Sequence, residues 1–410
     1  MQSDSQQINK TVAASFSIKA LKNEILKSKS PESLVRTLPA QTVYMLIKDA
    51  GVESSIDLFE MASPEHRKII LDLDLWGKDQ INEDNFWTWL SLPDEADSLE
   101  ILQKIAAVID LKIIAYFISK HVDAISFEEP TDSPPDTEYF TPDKGYSWIK
   151  VSADTEERKF YLSRLLALIF ETSADLFYQL LALRTTTTLS QLEEEGFQDK
   201  IKRLAAEGVP EVELANEICS PLSLSKALVL IKKELCTPIK DIPILSPLIY
   251  NPKILNPLTE FIAEVDQQDN IAAELSLLMN SAIVSWNIDF SDNQLVFETS
   301  RKVKGILNIG LEAILSKGNF DSKDIYKSLG LRTLFKVGLA ELKELTKILH
   351  KISYDQETLF KTNKKLLIAI EGVKQRIPEF PEFMDEDNNE AELEISTQYR
   401  PFEHLEEIVS

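Results

Sequence analysis

Short proline-headed openings divide this chain into segments, and each opening is a helix start. Ser30-Pro31-Glu32 and Ser63-Pro64-Glu65 each place a capping hydroxyl first. A proline follows, whose missing N–H is no loss at the first helical position, and then a carboxylate near the positive helix end. Leu38-Pro39-Ala40-Gln41, Leu92-Pro93-Asp94-Glu95 and Val209-Pro210-Glu211 are looser forms of the same signal. Between them apolar residues recur at helical spacing: Val43, Leu46 and Ile47 in one segment, with Gly51 placed to end it, and Ile69, Ile70 and Leu73 in the next. Pro39, Pro64 and Pro93 lie 25 and 29 residues apart, room for one short helical hairpin per unit. The fold class is therefore mainly α: stacked helical hairpins in an α-superhelical arrangement. Only 11 glycines occur in 410 residues, against a usual share of roughly 7%, which disfavours the repeated tight turns of Rossmann domains and β-propellers.

The helical pattern is interrupted once by strand signals. Glu138–Thr141 and Tyr146–Val151 flank Pro142-Asp143-Lys144-Gly145, a turn tetrad, and predict one small β-hairpin lying on the helical body. Ser190-Gln191-Leu192-Glu193 fits a capping box, and Gly208 ends the helix before Pro210. Five prolines among apolar residues over 237–258 predict an ordered strap joining two helical regions. Helices follow near Leu258–Val265, Asn270–Trp286, Asn293–Ser316, Ser322–Leu329, Leu331–Ile352 and Gln356–Gln375. The expected organisation is a flexible N-terminus over 1–15, a helical-hairpin domain over 16–121 and the hairpin insertion over 122–152. A middle helical region over 153–236, the strap over 237–258, a C-terminal helical domain over 259–377 and a disordered acidic tail over 378–410 complete it.

Charge and cysteine content exclude several function classes. The formal net charge of −23 repels phosphate backbones and no basic block offsets it, so nucleic acid is not an expected partner. Cys219 and Cys236 are too few for a disulfide scaffold or a Cys-rich zinc site, which fits a reducing, cytoplasmic setting. The most apolar window, Leu165 to Leu183, contains Glu171 and Asp175, so no direct membrane insertion is expected.

No recognisable catalytic or cofactor motif emerges, and no cofactor is expected. Gly305 to Gly310 has P-loop spacing, but Leu311-Glu312 follow where Lys and Ser/Thr would contact phosphate and magnesium. His121-Val122-Asp123 with Glu128 and Glu129 is the most metal-like cluster and reads as a solvated helix end. Asp385, Asp387 and Asn389 begin an EF-hand-like loop that lacks its glycine and its terminal Glu. Asp72 with Asp74, and Asp289 with Asp292, read as exposed charges rather than catalytic dyads. The densest feature is the pair of runs Leu71–Asp79 and Phe86–Leu90, holding Trp76, Trp87 and Trp89, three of the five tryptophans. Core packing is the leading reading of these residues and an exposed binding ridge the other. The partner-binding assignment is Trp76, Lys78, Asp79, Trp87 and Trp89, together with Phe402, Leu405 and Ile408, which fall near one helical face at the end of the tail.

Four stretches carry a resemblance: Leu34-Val35-Arg36-Thr37-Leu38-Pro39, Leu46-Ile47-Lys48-Asp49-Ala50-Gly51, Ala62-Ser63-Pro64-Glu65 and Ile70-Leu71-Asp72-Leu73-Asp74-Leu75-Trp76-Gly77-Lys78-Asp79. With the later block Arg203-Leu204-Ala205-Ala206-Glu207-Gly208-Val209-Pro210-Glu211, they resemble an uncharacterised bacterial family, a domain of unknown function. The resemblance implies no activity and no site residue. The N-terminal hairpins are also similar to the superhelical cytoplasmic domains of MgtE-type magnesium channels and flagellar motor-switch proteins, a fold-level analogy. The expected function is a noncatalytic scaffold or adaptor binding an unidentified protein. The alternative is an enzyme or a small-molecule or metal sensor with a site between the helical regions.

Overall fold

The computed structural model describes residues 18–77, 79–92, 98–231, 255–265, 268–355, 364–382 and 399–409. The expected flexible N-terminus, the helix start at Pro93, Lys78, most of the strap, the start of the Gln356–Gln375 helix and the acidic stretch 383–398 lie outside the described residues. The chain is mainly helical, with nineteen α-helices among the described residues and three two-stranded antiparallel pairs where one hairpin was expected. It forms two compact units that divide between Ala206 and Glu207.

The N-terminal unit holds α1 (Ile18–Lys27), α2 (Pro31–Thr37), α3 (Ala40–Ala50), α4 (Ile56–Met61), α5 (Pro64–Asp74), α6 (Glu83–Ser91) and α7 (Ser98–Ala106). It continues with α8 (Leu111–His121), α9 (Glu156–Thr172), α10 (Ala174–Thr186) and α11 (Leu189–Ala206). Ser63 Oγ accepts the His66 N–H at 3.1 Å as expected, and Ser173 and Thr155 cap α10 and α9 in the same way. Ser30 makes no such bond, and Pro31 alone opens α2. The capping box forms two residues earlier than expected, between Thr188 and Gln191, because α11 begins at Leu189. Helix α8 packs on α10 and α11, while α11 also meets α5.

Strands β1 (Trp76–Gly77) and β2 (Gln80–Ile81) form a minimal pair after α5. The larger hairpin pairs β3 (Val122–Ser126) with β4 (Ser147–Val151), in register from Val122↔Val151 to Ser126↔Ser147. This corrects the expected partner: Glu138–Thr141 contributes only an isolated bridge from Phe140 to Ile149. The reason is local satisfaction. Asp136 accepts the Glu138 N–H, Thr141 Oγ1 accepts the Gly145 N–H and Asp143 accepts the Ser147 N–H, so that loop is held by its own side chains.

The C-terminal unit holds α12 (Val212–Ile218), α13 (Leu224–Ile231), α14 (Leu258–Glu264), α15 (Gln268–Trp286), α16 (Asn293–Leu315), α17 (Ser322–Asp355), α18 (Lys364–Val373) and α19 (Glu406–Val409). Helices α12 and α13 belong here because α12 packs on α15, α13 packs on α17, and the Leu222 N–H donates to the Lys336 carbonyl at 2.9 Å. The expected boundary at the strap therefore moves to 206/207. Helices α16 and α17 cross at backbone contact: a Cβ on Gly310 would overlap the Leu334 carbonyl, and one on Gly338 the Ile306 carbonyl. The two expected helices meeting at Gly330 form one kinked element there (φ 61, ψ 175), and the freed Leu331 N–H donates to buried Glu274 at 2.7 Å. Of the tail, β5 (Glu379–Pro381) pairs with β6 (Tyr399–Pro401), and residues 402–409 dock on the unit. Phe402 packs on Phe380, and Glu312 accepts the Leu405 N–H at 2.6 Å and contacts His404 Nδ1 at 2.8 Å.

Candidate functional site

Within the N-terminal unit, α5, α7, α8, α9, α10 and α11 enclose an open cleft of about 820 Å³. That lies in the range of small-molecule sites, roughly 300–1,000 Å³. Its apolar wall includes Ala106, Ile109, Leu111, Leu168, Ile169 and Leu176, and its charged groups are Lys68, Asp110, Lys112, Asp199 and Arg203.

Arg203 is the fixed point of the cleft. Its Nε and Nη2 grip both oxygens of Asp72 at 2.6 and 2.7 Å, and Nη2 also reaches Asp110 at 2.7 Å. Asp110 has a second task, accepting the Lys112 N–H at 2.9 Å to cap α8. The cap and the ion pair lock the start of α8 to the end of α11. Beside them Lys112 Nζ pairs with Asp199 at 2.5 Å and with Glu195 at 3.6 Å.

The pairings set the charge states. Burial opposes the charge on Arg203, but the hydrogen bonds it donates to Asp72 and the charges of Asp72 and Asp110 outweigh it and raise its pKa. Lys112 is raised in the same way, since Asp199 overcomes the partial burial. The hydrogen bond from Lys112 holds Asp199 below the usual carboxylate range. Asp72, behind the wall, is raised by burial in spite of Arg203. The groups in the cleft wall whose titration shifts thus all move toward fuller ionisation at neutral pH. They present fixed charge.

The family model of DUF6178, a family of unknown function, matches residues 5–410. The chain belongs to DUF6178. No curated protein and no solved structure matches it, and the similarity to MgtE-type channels is not shown. In this DUF6178 chain the blocks around Ile70–Asp79 and Arg203–Glu211, 131 positions apart at their contact, meet through Asp72 and Arg203.

None of the residues assigned from sequence to partner binding lines the cleft. Trp76, Trp87 and Trp89 are buried and so present no exposed ridge. Trp89 Nε1 donates to Asp74 at 2.7 Å, Trp76 packs on Phe197, and Trp87 contacts Phe86, Phe117 and His121. Asp79 is exposed in the β1–β2 turn, and Lys78 lies outside the described residues. Phe402 is buried, while Leu405 and Ile408 are half-buried on the chain's own C-terminal unit.

Asp72 and Asp74, read from sequence as exposed, are each 3% exposed. Asp74 takes hydrogen bonds from Tyr44, Lys48 and Trp89, which explains why a charge is tolerated inside. His121 is pushed toward its neutral form by burial, and Asp123 pairs with Arg184. Among the described residues no group of His, Cys, Asp and Glu is placed to hold a metal. No helix among them is long and apolar enough to cross a membrane.

Proposed function

We propose that this DUF6178 chain is a noncatalytic binding protein, a helical scaffold whose N-terminal unit holds its ligand in the cleft at Arg203. The carrying observation is the ion-paired wall: Arg203 is held by Asp72 and Asp110 and Lys112 by Asp199, at 2.5–2.7 Å, a fixed arrangement of charge suited to recognition. The apolar wall opposite supplies surface for contact. A reducing, cytoplasmic setting accords with a Cys219 thiol that burial pushes up to about 11, which keeps it protonated and unreactive.

The test is a thermal-shift panel on the full chain and on Ala107→Trp and Thr172→Trp, which narrow the cleft from exposed positions. Each stabilising compound is recovered and checked by NMR. A compound that raises Tm by mass action, loses its effect in both variants and returns unchanged supports the reading. Consumption of the compound, or an equal shift in the variants, contradicts it.

A further inference from the structure

We infer that the open edge of strand β3 is a docking site for an extended basic segment of another protein, which pairs with Ala124 and Ser126 as a third strand. The register decides which backbone groups are free. In an antiparallel pair, residues that exchange hydrogen bonds alternate with residues whose N–H and C=O point away from the partner strand. The Phe127 N–H donates to the Tyr146 carbonyl at 2.8 Å and the Ser152 N–H to the His121 carbonyl at 2.7 Å, so Asp123, Ile125 and Phe127 turn their backbone groups toward β4. Ala124 and Ser126 turn theirs outward. On the β4 side the equivalent groups are taken: Ile149 exchanges both bonds with Phe140, and the Ser147 N–H reaches Asp143. On the β3 side the four groups of Ala124 and Ser126 have no partner among the described residues.

The side chains along this edge select the occupant. Ile125 and Phe127 are each 38% exposed and Tyr146, opposite Phe127, is 47% exposed, an apolar strip for alternate residues of an added strand. Glu128, Glu129 and Asp132 follow, exposed and without an ion pair among the described residues. Residues 122–151 carry seven Asp and Glu against Lys144 and Lys150, and the outside cation paired with them is Arg184 on Asp123. Seven acids against three bases leave the hairpin acidic with its ion-pair partners included. A second copy of this chain would bring the same acidic edge and a net charge of −23, so self-pairing is opposed and a basic partner favoured. Antiparallel pairing, the more stable mode, sets the occupant's N-terminal part beside Glu128 and Glu129 and its next residues beside Ser126 and Ala124. The segment therefore carries Lys or Arg first and alternating β-branched residues after them. The other end of β3 is occupied, since Arg184 of α10 pairs with Asp123 there at 3.2 Å.

The experiment measures binding of labelled peptides to the full chain by fluorescence anisotropy, with hydrogen–deuterium exchange locating the contact. The first peptide places lysines ahead of alternating valine and threonine. Others reverse that order, replace the lysines by glutamates, or N-methylate alternate backbone nitrogens in one frame or the other. The lysine-first peptide binds and slows exchange over 122–129. The reversed peptide binds at least about threefold more weakly and the glutamate peptide does not bind. N-methylation costs at least about tenfold in one frame and is tolerated in the other, because alternate N–H groups face β3. Ser126→Pro removes an outward N–H without touching a bond to β4 and weakens the lysine-first peptide about tenfold. Glu128→Gln combined with Glu129→Gln weakens it about threefold. Undiminished binding to Ser126→Pro, equal binding of the glutamate peptide, two equivalent N-methyl frames or no binding at all overturns the inference. A concentration-dependent dimer that Ser126→Pro abolishes overturns it as well, in favour of a second copy.

Discussion

Arg203→Met removes the cation from two largely buried carboxylates. The side chain of Asp72 is 3% exposed and that of Asp110 is 8%, while Arg203 keeps 21%. Breaking a buried pair by deleting one partner costs about 3–5 kcal/mol, against about 0–1 kcal/mol for an exposed bridge. The partial exposure of Arg203 puts the expected loss near the lower figure, about 3 kcal/mol. Four of the five tryptophans, Trp76, Trp87, Trp89 and Trp148, lie in the N-terminal unit, so fluorescence during urea unfolding follows that unit. With a slope of about 2 kcal/mol per molar urea, the midpoint falls by about 1.5 M.

A pH signature separates this mechanism from lost packing. Burial already raises the Asp72 pKa, and loss of Arg203 raises it further. A carboxyl raised in the folded state contributes stability that is present at low pH and lost as pH rises through the folded value. The deficit of Arg203→Met is therefore smaller at about pH 5 than at about pH 8, and adding Asp72→Asn recovers part of it at the higher pH. A loss under about 1 kcal/mol, or a deficit independent of pH, refutes the reasoning.

Glu274 is raised by burial, so folding of the C-terminal unit becomes more favourable as pH falls through its raised value; Glu274→Gln flattens that dependence in thermal melts. Gly310→Ala forces a Cβ into the Leu334 carbonyl and lowers the stability of the same unit by at least about 1–3 kcal/mol, read by far-UV circular dichroism during denaturation. Glu312→Ala strands the Leu405 N–H and removes one partner of the His404 ring, and limited proteolysis cleaves the C-terminal segment faster than in the parent. Asp74→Ala takes the acceptor from Trp89 Nε1 inside the core and the counter-charge from Lys48, and destabilises the N-terminal unit by about 2–4 kcal/mol, while Asp79→Ala is within about 0.5 kcal/mol of wild type.

Helix starts were legible because they are local. Ser63, Pro64 and Glu65 are adjacent, and the bond from His66 N–H to Ser63 Oγ needs nothing beyond one turn. Gly330 was legible as a break for the same reason. The partner of β4 was not, because Val122–Ser126 runs directly out of α8 and the turn at Pro142–Gly145 suggested a nearer strand. The cleft was invisible for a stronger reason. Asp72, Asp110 and Arg203 come from α5, the start of α8 and α11, and nothing in the local pattern of any of them marks a charge destined for burial. Alternation in Leu71-Asp72-Leu73-Asp74-Leu75 reads as a solvated face, and only the arrival of Arg203, Lys48 and Trp89 makes burial of both acids affordable. Core packing was the leading reading of the tryptophan-dense runs, and the rings do fill the interior; the exposed ridge, the other reading, does not form.

Hydrogen–deuterium exchange of the full chain, with and without a compound that raises its Tm in the thermal-shift panel, tests most directly that the cleft is the binding site. The expected result is slowed exchange in peptides covering 103–112 and 168–176, abolished in Thr172→Trp. Protection confined to other segments, or protection unchanged in that variant, would contradict it.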